Sequence, residues 1–175
     1  MWFIFSRILL QSGTKTRTFV LNIIVCGTGG LAAMLIGHYE HSLDNKGRLT
    51  LPSEYTDELM AGVVLTRGME ACMYLFPRAE FERVGLRLRE ESLTDSRARK
   101  LRQWLFPQAH AVEPDRQRRV LIPQWLRDHA NVTDKILIAG MDNYVELWQP
   151  DAWRERDHIL AAEVEDQDFF ASLHI

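Results

Sequence analysis

One short segment occurs twice in this chain. Residues 44–52 read D-N-K-G-R-L-T-L-P, and residues 115–123 read D-R-Q-R-R-V-L-I-P, at a constant offset of 71 positions. The identical positions are Asp44 and Asp115, Arg48 and Arg119, and Pro52 and Pro123. Because a unit this short cannot bury an apolar core alone, two copies predict a pseudo-symmetric fold in which each copy completes the core of the other.

The apolar pattern around the two segments predicts the same order of elements in each copy. This order is a hairpin around a charged turn, a short helix, a second hairpin and a longer helix. The strands of the first copy are expected at 38–43, 48–51, 63–67 and 72–76, with a short helix from Ser53, its predicted cap, to about residue 60. The elements of the second copy are expected as strands at 109–112, 119–122, 136–139 and 144–148 and helices at 124–130 and 150–165.

A long helical stretch separates the two copies. Apolar side chains recur at helical spacing from Pro77 to about Phe106. The segment S-L-T-D at 92–95 is expected to divide this stretch into two helices, with Thr94 or Ser96 capping the second.

These elements predict an α+β fold with a mainly β core. The expected organisation is an extension at 1–34, a first repeat at 35–84, a helical insert at 85–108, a second repeat at 109–157, and a C-terminal helix with an acidic tail at 158–175.

Residues 1–34 differ in character from the repeats. Residues 19–36 contain no charged side chain and follow three basic residues, a pattern typical of a targeting peptide or a membrane anchor. Asn22 and the glycine-rich run at 27–30 interrupt the apolar stretch, so we expect a mis-called start or a passive extension ahead of those two alternatives. No membrane association is expected for residues 35–175.

Charge is distributed unevenly along the chain. The net charge is −3 overall and −6 for residues 35–175, which argues against a uniformly basic nucleic-acid binder. Any anion-binding surface must therefore be local. The candidates are the basic residues of the two repeated turns: Lys46, Arg48, Arg116, Arg118 and Arg119.

The repeated D-x-x-x-R motif has a structural and a functional interpretation. In the structural one, Asp44 and Asp115 accept hydrogen bonds from N–H groups of their own turns, and the arginines pair with them. In the functional one, Arg48 and Arg119 stand at hairpin tips, where a guanidinium suits phosphate or guanine contacts. We favour the structural interpretation for the aspartates and leave both open for the arginines.

One position distinguishes the two turns. Gly47 suits a backbone with positive φ, yet the matching residue of the second copy is Arg118. A residue other than glycine costs about 1 kcal/mol in that conformation. Either the second turn has a different geometry, or the additional charge compensates functionally.

The sequence shows no arrangement typical of an enzyme. The six histidines form no H-x-x-x-H pair, and Cys26 and Cys72 form no metal-ligand motif. A nucleophile next to a base is also missing. We therefore expect a non-enzymatic protein with no cofactor, no metal ion and no small-molecule substrate.

Residues 35–165 resemble the MraZ family of bacterial regulators. The resemblance rests on L-D-N-K-G-R-L at 43–49, Pro52, G-M at 140–141 and E-L-W at 146–148. It implies two tandem swapped-hairpin (AbrB-like) repeats that form a pseudo-symmetric β-barrel with flanking helices. It also implies a cytoplasmic, nucleoid-associated regulator of the division and cell-wall gene cluster, which binds repeated promoter DNA sites as a ring-shaped homo-oligomer.

The resemblance assigns roles to the repeated turns. Arg48 would be the leading DNA-contacting residue and Asp44 would shape its loop, with Arg119 and Asp115 as counterparts. The full expected DNA-binding set is Lys46, Arg48, Arg116, Arg118 and Arg119, and the expected structural set is Asp44, Gly47 and Asp115. The alternative is an oligomeric protein-interaction module in which the D-x-x-x-R motifs are structural.

Overall fold

The computed structural model describes residues 34–164. Residues 1–33 and 165–175 are not described. The predictions for the extension and the acidic tail therefore lie outside the described residues.

The first copy supplies four strands and a short helical segment. The strands are β1 (His38–Ser42), β2 (Arg48–Thr50), β3 (Val63–Arg67) and β4 (Cys72–Pro77), and the helical segment is a 3-10 turn (Ser53–Tyr55) followed by α1 (Thr56–Leu59). The expected cap at Ser53 is wrong, because its hydroxyl donates to Glu54 Oε2 at 3.1 Å and Pro52 occupies the cap position. The fixed φ of proline suits the start of this turn.

Two helices join the copies, and the break between them falls where the sequence predicts. These are α2 (Arg78–Glu90) and α3 (Ser96–Leu105). The cap of α3 is Asp95, whose Oδ1 accepts from Arg97 N at 2.7 Å and Ala98 N at 3.2 Å. The expected caps at Thr94 or Ser96 are wrong, because a carboxylate satisfies the free N–H groups and also interacts favourably with the helix dipole.

The second copy repeats this order of elements. Its elements are β5 (His110–Val112), β6 (Arg119–Leu121), α4 (Gln124–His129), β7 (Lys135–Gly140), β8 (Val145–Trp148) and α5 (Pro150–Val164). The chain is thus mixed α+β, as predicted, with a mainly antiparallel sheet at its centre.

The strands pair across the two copies. A six-stranded sheet has the order β1-β7-β8-β4-β3-β5, and a two-stranded ribbon joins β2 to β6. The first strand of each copy therefore pairs with the third strand of the other. The sequence predicts that the strands on either side of each charged turn pair as a hairpin, and this prediction is wrong. In the first copy, the segments of β1 and β2 are joined only by the single bridge between Leu43 and Leu49. The backbone groups of β2 bond to β6 instead.

The β-barrel that the resemblance implies is not closed within residues 34–164. The main sheet ends in two free edges, β1 and β5. The physical reason is that β2 and β6 leave this sheet and pair with each other, so they do not bridge its edges. The hairpins β3–β4 and β7–β8 form as the sequence predicts.

Both faces of the six-stranded sheet are covered. On one face, side chains such as Leu65 and Ile138 are buried in one cluster with Leu49 and Val120 of the ribbon. On the other face, Trp148 packs against Trp153 of α5 with ring centroids 5.9 Å apart. Coverage on both sides explains why β3 and β7 read as continuous apolar runs and not as alternating ones.

Candidate nucleic-acid interface

The first charged turn is organised by one carboxylate. Asp44 Oδ1 accepts hydrogen bonds from Lys46 N and Arg48 N, both at 2.9 Å. Its Oδ2 accepts from Arg48 Nε at 2.7 Å and lies 2.7 Å from Arg48 Nη2. Backbone donors on one oxygen and a forked guanidinium on the other fix both the turn and the direction of the arginine.

The second charged turn repeats these bonds. Asp115 Oδ1 accepts from Gln117 N at 2.8 Å and from Arg119 N at 3.0 Å. Its Oδ2 accepts from Arg119 Nε at 2.9 Å and Nη2 at 2.7 Å. The two copies are therefore alike at the level of individual hydrogen bonds.

The two turns lie side by side and form what we call the paired-turn surface, residues 44–48 and 115–119. Antiparallel pairing of β2 and β6 sets Arg48 opposite Leu121. The backbone bond from Ile122 N to Gly47 O, at 3.0 Å, ties the turns together. Arg48 Nη1 lies 4.0 Å from Asp115 Oδ2, so each turn is within reach of the other's charge.

The aspartates stay ionised over a wide pH range. Hydrogen bonds from Arg48 hold the pKa of Asp44 at about 2, and those from Arg119 hold the pKa of Asp115 at about 2. The side chains of the two arginines are 28% and 26% exposed. Much of each guanidinium is therefore engaged within its own turn.

Two other cations on this surface are free. The side chains of Lys46 and Arg116 are exposed, and neither makes an ion pair or a side-chain hydrogen bond within residues 34–164. Five basic and two acidic side chains give the paired-turn surface a net charge of +3. A local basic patch thus exists on a chain that is acidic overall.

The two turns share one backbone conformation. Gly47 has φ 75° and Arg118 has φ 60°, both in the left-handed region. The alternative of a different geometry for the second turn is therefore wrong. Arg118 retains the glycine-like conformation, at a cost of about 1 kcal/mol.

A second difference between the copies accompanies the change from Gly47 to Arg118. A Cβ on Gly47 would lie 2.9 Å from Cζ of Arg127, so the guanidinium of α4 occupies the space above the glycine. The residue 71 positions before Arg127 is Thr56, whose Oγ1 accepts a hydrogen bond from Arg118 Nη1 at 3.4 Å. The first turn therefore packs against Arg127 of α4. The second turn supplies its own arginine, Arg118, which contacts Thr56 of α1.

Sequence patterns did not identify Arg127 as a neighbour of the paired-turn surface. The signal was present, because both positions change from a small residue in the first copy to arginine in the second, Gly47 to Arg118 and Thr56 to Arg127, at the same offset of 71. Contact between them depends on the non-local pairing of β2 with β6.

The described part of the chain offers neither a metal cluster nor a membrane span. Residues 34–164 hold no group of three or more His, Cys, Asp or Glu side chains that could bind a metal ion. Within the same range, no helix has the length and apolar character to cross a membrane.

Comparison with known proteins gives a consistent result. Residues 34–103 and 105–171 match a family model described as an antitoxin-like MraZ protein. A relative from Salinispora arenicola, named "Transcriptional regulator MraZ", is 41% identical over 140 residues, which cover 80% of this chain and 94% of the relative. A relative of the same name from Roseiflexus castenholzii is 38% identical over 138 residues, covering 79% and 94%.

Proposed function

The chain belongs to the MraZ family, and we propose that it is a non-enzymatic transcriptional regulator that binds promoter DNA sequence-specifically through the paired-turn surface. We further propose that it acts as a ring-shaped homo-oligomer on repeated sites upstream of the division and cell-wall gene cluster. Its location would be the cytoplasm, in association with the nucleoid.

The observation that carries this proposal is the pair of free cations on a rigid support. Lys46 and Arg116 project from turns whose backbones are fixed by Asp44 and Asp115. Cations held in fixed positions suit phosphate contacts, which set the register of a protein on a duplex. Neighbouring side chains of the turns then meet base edges, where sequence is read.

Arg48 and Arg119 can serve the same surface without leaving their aspartates. A guanidinium has five N–H donors, and the turn of the second copy uses only Nε and Nη2 of Arg119. Nη1 of Arg119 has no partner among the described residues. In this proposal the aspartate aims the guanidinium, and the remaining donors face a phosphate or a guanine.

Oligomerisation would reconcile DNA binding with the acidic chain. Each protomer presents one surface of charge +3, although residues 35–175 sum to −6. Several such surfaces on one ring raise the effective concentration at repeated sites, so weak contacts add to a useful affinity.

Fluorescence-anisotropy titration of the full chain against the DNA upstream of its own gene tests the proposal. The perturbation is the double variant Lys46→Ala/Arg116→Ala, and the matched control is Lys100→Ala, an exposed cation on α3. We expect the double variant to bind more weakly and the control to bind as wild type. The slope of log affinity against log salt should become shallower by about 0.9 for each phosphate that the variant no longer neutralises.

Two results would refute this mechanism. One is a double variant with unchanged affinity and salt slope, and the other is a wild-type protein that binds scrambled DNA equally well. The alternative function, a protein-interaction module, is favoured by the engagement of both arginines with aspartates. In that case Arg48→Ala would change the oligomer mass in light scattering, and wild type would have no preference for the promoter.

A further inference from the structure

A cavity of about 210 Å³ lies on the outer face of the main sheet, beneath α5. It is on a different face from the ribbon and its charged turns. Its walls come from the β3–β4 turn, from β4 and β8, and from α5. The lining side chains that matter for the argument are Glu70, Tyr74, Glu146, Trp148, Trp153 and Arg156.

Glu146 is the polar centre of this cavity. Its Oε2 accepts a hydrogen bond from Trp148 Nε1 at 2.9 Å, and its Oε1 accepts from Tyr144 Oη at 3.4 Å. Within residues 34–164 no cation lies within ion-pair distance of this carboxylate. Burial raises its pKa, against the lowering effects of the hydrogen bonds from Trp148 and Tyr144 and of the charge of Arg156. A further cation placed beside it would favour the ionised form.

The charges that line the cavity do not cancel. Glu70 and Glu146 contribute two carboxylates, and Arg156 contributes one guanidinium. Arg156 is already engaged, since its Nε lies 3.2 Å from Glu70 Oε2 and its Nη1 lies 3.8 Å from Glu163 Oε2. The lining side chains therefore carry a net charge of −1, and Arg156 acts on Glu146 through its charge without forming an ion pair with it.

The remaining walls are aromatic. Trp148 and Trp153 meet edge to face, and Tyr74 lines the same space with Met69 and Met141. Aromatic faces attract an organic cation, most strongly when the site is shielded from water. A hard metal ion would need about six oxygen ligands, and this lining offers two carboxylates, one of which is held by arginine.

We propose that this cavity binds a small organic cation with an alkylammonium head group, held by Glu146 and by the indole rings of Trp148 and Trp153. The cation supplies the charge that the lining lacks, and its alkyl groups contact the aromatic and thioether side chains. Because the walls come from both the sheet and α5, an occupied cavity ties α5 more firmly to the sheet. This binding is independent of the proposed role in transcription.

Isothermal titration calorimetry of the full chain with choline tests the proposal, since choline is a small quaternary ammonium compound. Its neutral carbon analogue, 3,3-dimethyl-1-butanol, has the same shape without the charge. We expect choline to bind and the analogue to bind at least about tenfold more weakly, because only the cation gains the charge interaction. Equal binding of the two compounds, or no binding of choline at millimolar concentration, would overturn the proposal.

Variants then locate the site. Glu146→Gln keeps an acceptor for Trp148 and removes the charge, so we expect the Kd of choline to rise about tenfold or more. Trp153→Leu keeps an apolar side chain and removes the ring, so a rise of about threefold or more is expected. Glu155→Gln, an exposed carboxyl on α5, is the matched control.

If Glu146→Gln does not fold, the affinity of Trp153→Leu for choline decides whether this cavity is the site. Binding to Trp153→Leu with wild-type affinity would show that choline sits elsewhere and would reject this site. A loss of affinity in Glu155→Gln equal to that in Glu146→Gln would reject it as well, since general surface charge would then explain the binding.

Discussion

The contact between Gly47 and Arg127 allows a quantitative test of how the two copies fit together. A methyl group at position 47 would have to adopt φ 75° and would lie 2.9 Å from Arg127 Cζ and 3.0 Å from its Nη2. Gly37 offers a matched control, because it has φ 86° while its Cβ would have no neighbour closer than 3.7 Å. Gly37→Ala therefore measures backbone strain alone, and Gly47→Ala measures strain together with the clash.

The magnitudes follow from these two contributions. Left-handed strain costs about 1–2 kcal/mol, and the lower entropy of the unfolded alanine chain offsets about 0.4–1 kcal/mol of it. Gly37→Ala should thus lower the free energy of unfolding by about 1 kcal/mol. Displacing the packed guanidinium adds a cost at the low end of overpacking, about 1 kcal/mol. Gly47→Ala should therefore cost about 2 kcal/mol.

Urea unfolding of the full chain, followed by circular dichroism at one protein concentration, measures both variants. In an Arg127→Thr background, which places in α4 the residue type found at Thr56, the clash disappears. Gly47→Ala should then cost only about 1 kcal/mol, a coupling of about 1 kcal/mol in the double-mutant cycle. A cost that is the same in both backgrounds would refute the argument that Arg127 fills the space above the turn.

Two further predictions concern carboxylates. Asp44 and Asp115 have pKa values of about 2, against a usual 3.8. Because folding lowers these pKa values, the contribution of the two aspartates to stability is complete above about pH 4. It is lost as the pH falls through about 2. In the double variant Asp44→Asn/Asp115→Asn, the free energy of unfolding should depend less on pH across this interval than in wild type. Equal losses of unfolding free energy in variant and wild type during acid titration would contradict the assignment. Asp95→Ala removes the cap of α3 and should cost about 1 kcal/mol in urea unfolding, whereas Ser96→Ala should cost much less; equal effects would show that the carboxylate is not the effective cap.

Local features were predictable from the sequence, and non-local pairing was not. The hairpins β3–β4 and β7–β8 follow from apolar runs separated by short turns, whose partners are adjacent in sequence. The hydrogen bonds of Asp44 and Asp115 follow from the turn chemistry of aspartate. By contrast, the pairing of β1 with β7 and of β2 with β6 joins distant segments, and no local pattern distinguishes it from two hairpins.

The candidate site shows the same division. The sequence predicts the cations of the charged turns as candidate contacts, because they lie within the two repeated segments. It did not identify Arg127, whose contact with Gly47 exists only once β2 and β6 have paired. Nor did it identify the cavity at Glu146, because β strands and α5 from separate parts of the chain form its walls.

The exchange of strands between copies also has a consequence for the order of folding. His38 pairs with Ala139, 101 positions further along the chain, so this fold has a high contact order and is expected to form slowly. During synthesis, β1 has no partner until β7 has been made, and the first copy alone cannot close its core. An isolated first copy would keep β1 and β2 as unpaired edges, which favour pairing with a second chain. The chain must therefore complete both copies before either is stable.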